Sequence, residues 1–244
     1  MKNKKNNKIT FYPADESVIG FAPQPIPASK NMPEWYKRQP PTINKDLLSK
    51  GIATSTVKKC MPIFDAMTAG YFLLAPCDIY VDATNPDNLE FSAPNQLGPI
   101  RAKIFSSHSL EQYGTYPIDT DKYHRTLLRV FPLWAVGTPS GYSCLVIQPM
   151  HIDESPISAF PGVVDTDSFV TDGHFSFLVK KDFKGIIKRG TPLVQLIPFK
   201  REPWQMEVSS AENAKAIMSK QNLMLRSVFA NAYKIFFRSK KEYN

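Results

Sequence analysis

His151, Ile152 and Asp153 form the H-x-D half of a facial triad, the ligand pattern of non-haem iron. Such a site needs a further histidine on a neighbouring strand. His174 follows only 23 residues on, and Pro149 and Pro156 flank the triplet as they would a rigid loop. No metal site is therefore expected. His108 and His124 have no partner at ligand spacing and read as ordinary surface or half-buried histidines. Cys60, Cys77 and Cys144 are far apart, odd in number and without a CxxC pair, which points to reduced, buried thiols in a cytosolic setting. None of them stands in a nucleophile motif, and no Gly-x-Ser-x-Gly occurs. Walker A and GxGxxG loops are also missing, and 11 glycines are too few for a Gly-rich phosphate cradle. Surface carboxylates are plentiful, but the sequence alone identifies no catalytic pairing among them. Asp165 and Asp167 alternate, so on a strand both would project to one side.

The elements that would carry these residues are mostly short strands. Candidates are Ile9–Tyr12, Tyr71–Leu74, Asp78–Val81, Leu89–Ser92, Ala102–Phe105, Leu127–Phe131, Tyr142–Ile147, His174–Val179 and Pro192–Ile197. Turn signals such as Pro139-Ser140-Gly141 and Lys188-Arg189-Gly190 separate them. Many strands without helices between them imply a mainly β fold, an antiparallel β-clip, distorted barrel or sandwich. A proline-rich arm over 22–41 precedes it, in which Asn31 could cap a short helix and Trp35 would anchor the arm. Residues 56–69 suggest a brief helix broken by Pro62. Ser209 and Glu212 resemble a capping box. Beyond them Ile217, Met224, Val228, Ala232 and Ile235 recur at helical spacing, widened by Leu225, Phe229 and Phe236. This amphipathic helix could pack on its own sheet or dock a second subunit. The expected segments are a basic tail and arm over 1–55, a β-rich core over 56–208, and a C-terminal helix and basic tail over 209–244.

The chain has 244 residues and a formal charge of +8, with Lys2, Lys4, Lys5 and Lys8 at one end and Arg238, Lys240 and Lys241 at the other. The ends read as solvated tails; the other reading is contact with nucleic acid. No basic run was found interleaved with stacking aromatics in the manner of a single-strand binder. There is no apolar signal segment and no run of the roughly 18 apolar residues that a membrane span needs. The protein is expected to be neither secreted nor membrane-spanning.

The segment from Pro161 to Phe199 is the most specific. Gly162-Val163-Val164-Asp165-Thr166-Asp167 resembles the third motif of the dUTPase and dCTP deaminase superfamily, approximately G-[VI]-I-D-x-D-Y-R-G. Gly190-Thr191-Pro192-Leu193-Val194-Gln195-Leu196 resembles the fourth, and Ala69-Gly70-Tyr71-Phe72-Leu73 the A-G-Y-D-L of the first. The resemblance implies a β-clip fold. It would make Gly162, Asp165, Gln195 and Tyr71 nucleotide-binding, with Asp165 and Asp167 as the catalytic pair and Mg as the cofactor. It also shows what is lost. Phe72 stands at the first-motif Asp position, Ser168 at the sugar-stacking Tyr, and Phe169 at the following Arg. No serine-rich second motif and no glycine-rich C-terminal arm is found. Without phosphate ligands a lone aspartate cannot stabilise the charge of a reacting phosphate.

Residues 25–37 and 58–71 resemble an uncharacterised protein family of bacteria and tailed phages, marine myoviruses among them. Taken together, the reading is a non-enzymatic protein, phage-encoded, that acts in virion structure or assembly through oligomerisation. Trp35, Met224, Val228, Phe229 and Phe236 are its candidate contacts, and no cofactor is expected. Its partners would be other copies of itself or virion proteins, with nucleic acid reachable through the basic tails and no membrane. It would reside in the host cytoplasm, and in the virion if phage-encoded. The alternative is a diverged nucleotide-binding or nucleotide-hydrolysing protein.

Overall fold

The structure is a computed structural model that describes residues 7–44, 46, 55–93, 103–152, 155–170, 173, 175–227 and 232–244. It divides into two compact units, one of residues 1–28 and 70–201, the other of residues 29–69 and 202–244. These limits fall elsewhere than the sequence-based segments. The strands lie in the first unit and the α-helices in the second.

The strands of the β unit, in chain order, are β1 (Thr10–Pro13), β2 (Ile26–Pro27), β3 (Tyr71–Leu74), β4 (Ile79–Asp82), β5 (Glu90–Ser92), β6 (Phe105–His108) and β7 (Leu127–Val130). They continue as β8 (Trp134–Gly137), β9 (Tyr142–Ile147), β10 (Ile157–Ala159), β11 (Gly162–Val164), β12 (Phe175–Val179), β13 (Lys184–Ile187) and β14 (Pro192–Lys200). Four sheets result, ordered β11-β9-β14-β3-β2, β10-β12-β7-β6, β13-β4-β5 and β1-β8. Every pairing is antiparallel. The mainly antiparallel β class expected from the sequence is the one observed.

β14 organises the largest sheet. Its first half pairs with β3 and its second half with β9, with a register shift between Pro192 and Val194. Leu193, Val194 and Leu196 are buried in the main core with Leu73, Ile79, Leu128, Val130 and Phe177. Pro198 falls where β14 pairs with β9 and no longer with β3, so a missing N–H can be tolerated there. Gly70 precedes β3 with φ of +68°, and a Cβ placed on it would lie 1.8 Å from the Leu196 carbonyl oxygen. Only glycine satisfies that position.

The helical unit departs from several expectations. α1 is Glu34–Arg38, and its N-cap residue is Pro33, with no side-chain capping bond; Asn31 is not the cap. Tyr36 is buried to 4% exposure, whereas Trp35 is 41% exposed, so Tyr36 supplies the buried ring. α2 is Met61–Thr68. Pro62 lies in its first turn, where no intrahelical N–H is needed, so it begins the helix instead of breaking it. α3 is Ala211–Ser227. Its capping side chain is Ser210, whose hydroxyl accepts the Asn213 N–H at 3.3 Å, rather than Ser209. Val228 and Phe229 lie outside the described residues. A π-helical turn spans Tyr233–Phe237. Ala232 is 3% exposed while Ile217 and Ile235 are 61% and 59% exposed, so the expected stripe is not one buried face.

Arg238 is no tail residue. Its guanidinium grips Asp65 of α2, with Nε at 3.1 and 3.2 Å and Nη2 at 2.7 Å from the carboxylate, and Lys241 Nζ adds a contact at 2.9 Å. The two side chains of the Arg238–Asp65 pair are 15% and 11% exposed. Arg238 first, and Lys241 after it, hold the Asp65 carboxyl below the usual carboxylate range.

Candidate functional site

β11 ends at Val164, and the chain turns immediately after it, with the Ser168 and Phe169 N–H groups both bonding back to the Asp165 carbonyl. Asp165 and Asp167 therefore sit in a turn and not along a strand. They still converge, because Arg201, the residue after β14, reaches both. Arg201 Nη1 donates to Asp165 Oδ1 at 3.1 Å, to Asp167 Oδ1 at 2.9 Å and to Ser143 Oγ at 3.0 Å. Its Nη2 donates to Asp167 Oδ2. Ser143 on β9 donates its hydroxyl to Asp165 Oδ1 at 2.6 Å, and the Gly141 N–H donates to Asp167 Oδ2 at 2.8 Å. The sheet order explains the meeting: β11, β9 and β14 are neighbours, so the ends of three strands deliver acid, hydroxyl and guanidinium to one place.

The electrostatics follow from that geometry. The Asp167 side chain is 8% exposed, and the Arg201 guanidinium, with help from the Gly141 N–H, lowers its carboxyl to about 2. A carboxylate of that basicity is a poor proton acceptor at neutral pH. The Asp165 side chain is 61% exposed, but its Oδ1 already accepts from Ser143 and Arg201. Thr166 between them points the other way. It is buried, and its hydroxyl bonds Thr138 Oγ1 at 2.7 Å and meets Cys144 Sγ at 3.5 Å.

The other residues singled out in the sequence do not join this cluster through any hydrogen bond among the described residues. Gln195 is fully buried in β14, where its Oε1 accepts the Met150 N–H at 2.9 Å. Tyr71 packs edge-on against Phe11, with ring centroids 5.5 Å apart. Gly162 opens β11, and a Cβ there would meet nothing within 4 Å, so the local backbone does not demand a glycine. His124 is buried, with Nε2 on the Asn85 carbonyl at 2.9 Å and Nδ1 accepting the Thr126 N–H at 2.9 Å. Both ring nitrogens are used in holding loops. Asp153 and His174 of the iron pattern lie outside the described residues. Among the described residues no three His, Cys, Asp or Glu side chains are grouped so as to hold a metal ion. The cysteines are free; Cys77 and Cys144 are buried, and burial raises the Cys77 thiol to about 11.

Beside the cluster lies an apolar cavity of about 320 Å³. Val136, Val146, Val164, Leu196, Phe160 and Phe175 line it, with Gly162 and Thr166 of the motif also in its lining. Phe160 stacks on Tyr113 at 5.1 Å. Phe169, 61% exposed, also lines the cavity. Arg201 and the motif carboxylates pointed out by the sequence are not among its lining residues.

No protein-family model matches the sequence, and no curated protein matches it. Solved structures of phage dUTPases are similar to it. The dUTPase of Staphylococcus bacteriophage 80alpha with dUpNHpp, in a mutant form, aligns at a TM-score of 0.34 and 10% identity, over 84% of this chain and 97% of that chain. A mutant dUTPase from phage phi11 of S. aureus aligns at 0.35 and 11%, over 84% and 97%. A second 80alpha mutant with dUpNHpp aligns at 0.34 and 11%, over 84% and 88%. These are distant likenesses, and no functional residue is carried over from them.

Proposed function

We propose that the protein is a non-enzymatic interaction protein that works by self-association, with the segment 202–227 as its contact. One observation carries the reading. Trp204, Met206 and Val208 are 89%, 92% and 86% exposed, and Ile217, Met218 and Leu223 of α3 are 61%, 56% and 73% exposed. Every residue from 201 to 223 is exposed. An isolated helix of about this length is marginal in water, and an apolar side chain gains roughly 1.5–3 kcal/mol on full burial. Trp204, Met206 and Val208 alternate, so in an extended segment they would share one face that a second copy can cover. The closed acid cluster favours association over hydrolysis, because Asp167 is committed to Arg201. A role in virion structure or assembly is the form of self-association that this reading adopts. The host cytoplasm, or the virion, is the matching location.

Light scattering on the eluting full-length chain tests this. Wild type should elute as an oligomer, and Trp204→Asp with Ile217→Asp should elute as a monomer with an unchanged β signature. Phe236→Asp, at a side chain that is 41% exposed, should weaken assembly less. A monomeric wild type across the accessible concentrations would overturn the reading.

The cavity favours a second reading, binding of a nucleotide or similar small molecule without turnover. Its border includes Gly162 and Thr166 of the motif. A thermal-shift screen against nucleotides, with and without Mg, decides it. A ligand at about 100 times its Kd adds roughly 2.7 kcal/mol, which is an easily seen shift. A flat screen removes this reading.

A further inference from the structure

The helical unit contains fourteen Lys and Arg against seven Asp and Glu, net +7 of the chain's +8. We infer that its basic cleft, built by Lys37, Lys58, Lys234 and Arg238 around Tyr36 and Phe64, binds single-stranded nucleic acid. The proposal is independent of the self-association reading.

The cleft has a volume of about 400 Å³ and no Asp or Glu among its lining residues. Its walls are built, not merely crowded. Lys58 Nζ donates to the Tyr36 carbonyl at 2.7 Å and stands 4.3 Å from the centre of the Tyr36 ring. Arg238 lies over Phe64 at 5.5 Å while its other side holds Asp65. Lys37 has the partly exposed Glu34 as its partner. Lys234 has no carboxylate partner among the described residues. A second pocket of about 330 Å³ shares Phe64 and Arg238 with the first and adds Lys240, Lys241, Glu242 and Tyr243, with Lys240 paired to Glu242 and Lys241 to Asp65.

The choice of ligand rests on the aromatics that flank those cations along the chain. Trp35, Tyr233 and Phe236 are about two-fifths exposed, at 41%, 40% and 41%. They neighbour Lys37, Lys234 and Arg238 in the sequence. Cations that follow a phosphate backbone, together with exposed aromatic faces for bases, are what a sequence-tolerant single-strand binder needs. A duplex hides its base faces, whereas a single strand presents them for stacking. The interleaving was missed in the sequence because residues 35–38, 58 and 233–241 come together only on folding.

The test uses the full chain and a fluorescein-labelled single-stranded DNA of about 20 nucleotides, followed by anisotropy across a salt series. Wild type should bind, and affinity should fall steeply with salt. Lys37→Glu with Lys234→Glu should bind at least about ten-fold more weakly and flatten the log–log salt slope by about 1.4, the share of two phosphate contacts. Trp35→Ala should lose about five-fold or more without changing the slope. Replacing Lys2, Lys4, Lys5 and Lys8 by Gln should leave binding within about two-fold. The Lys37→Gln, Lys234→Gln pair serves as control should the charge reversal lower the melting temperature. Wild type that does not bind, or a double variant that binds like wild type, overturns the proposal. So does equal binding to the matching duplex, to polyglutamate or to anionic vesicles.

Discussion

The β unit and the helical unit treat charge in opposite ways. The β unit has sixteen Lys and Arg against fifteen Asp and Glu, close to neutral. Its most suggestive acids are paired within the unit, two carboxylates with one guanidinium and a serine hydroxyl. In the helical unit one acid, Asp65, its side chain 11% exposed, faces two cations, Arg238 and Lys241. The motif that draws attention in the sequence thus lies in the near-neutral unit, and its own carboxylates are already paired with Arg201. The surplus charge and the exposed apolar side chains of 202–223 lie in the other. Exposed apolar surface marks where a partner can gain free energy.

Three experiments can break or sharpen that contrast. The largest effect is expected at Gly70. Gly70→Ala puts a Cβ at 1.8 Å from the Leu196 carbonyl oxygen, in a left-handed conformation. The β unit should lose roughly 3 kcal/mol or more, measured by urea denaturation, or fail to fold. A variant as stable as wild type would mean that β3 and β14 are not locked together as described.

Asp65→Asn comes next. It leaves Arg238 beside a neutral amide with its side chain 15% exposed. The thermal midpoint should fall by several degrees, and hydrogen exchange should quicken in α2 while β9 and β14 keep their protection. Equal loosening of both units would erase the contrast.

The smallest effect is the pH response of the acid cluster. The Asp167 carboxyl is lowered to about 2 in the folded chain, against about 3.9 for a free aspartate. The stabilisation is therefore complete above about pH 4 and is lost as pH falls towards 2. Asp167→Asn should remove that part of the acid dependence, and Arg201→Gln should move it to higher pH. Arg201 is 40% exposed, so solvent screening keeps the effect modest. Identical acid profiles for all three proteins would show that the cluster contributes nothing to stability.

Much of the β class was legible because alternation is a local signal. Tyr71–Leu74 and Tyr142–Ile147 match the expected strands residue for residue. β13 was missed because Lys184-Gly185-Ile186-Ile187 does not alternate, and β8 because its partner β1 lies more than a hundred residues away. Pro62 begins α2 although the sequence suggests a break, because a proline in a first turn and one in a helix interior differ only in register.

The sequence by itself determined the strand-rich class, the motif order and the excess of positive charge, since each can be counted or read over a few neighbours. It also held Arg201, but nothing near that residue named its partners 34 and 36 positions away. Only the tertiary structure decided that Asp165 and Asp167 close on Arg201, that Arg238 leaves the tail for Asp65 173 positions earlier, and that the basic and aromatic residues of three segments share one cleft. The reason is that periodicity reports how a chain meets solvent locally. The pairing of distant charges depends on which strand and helix ends the topology brings together.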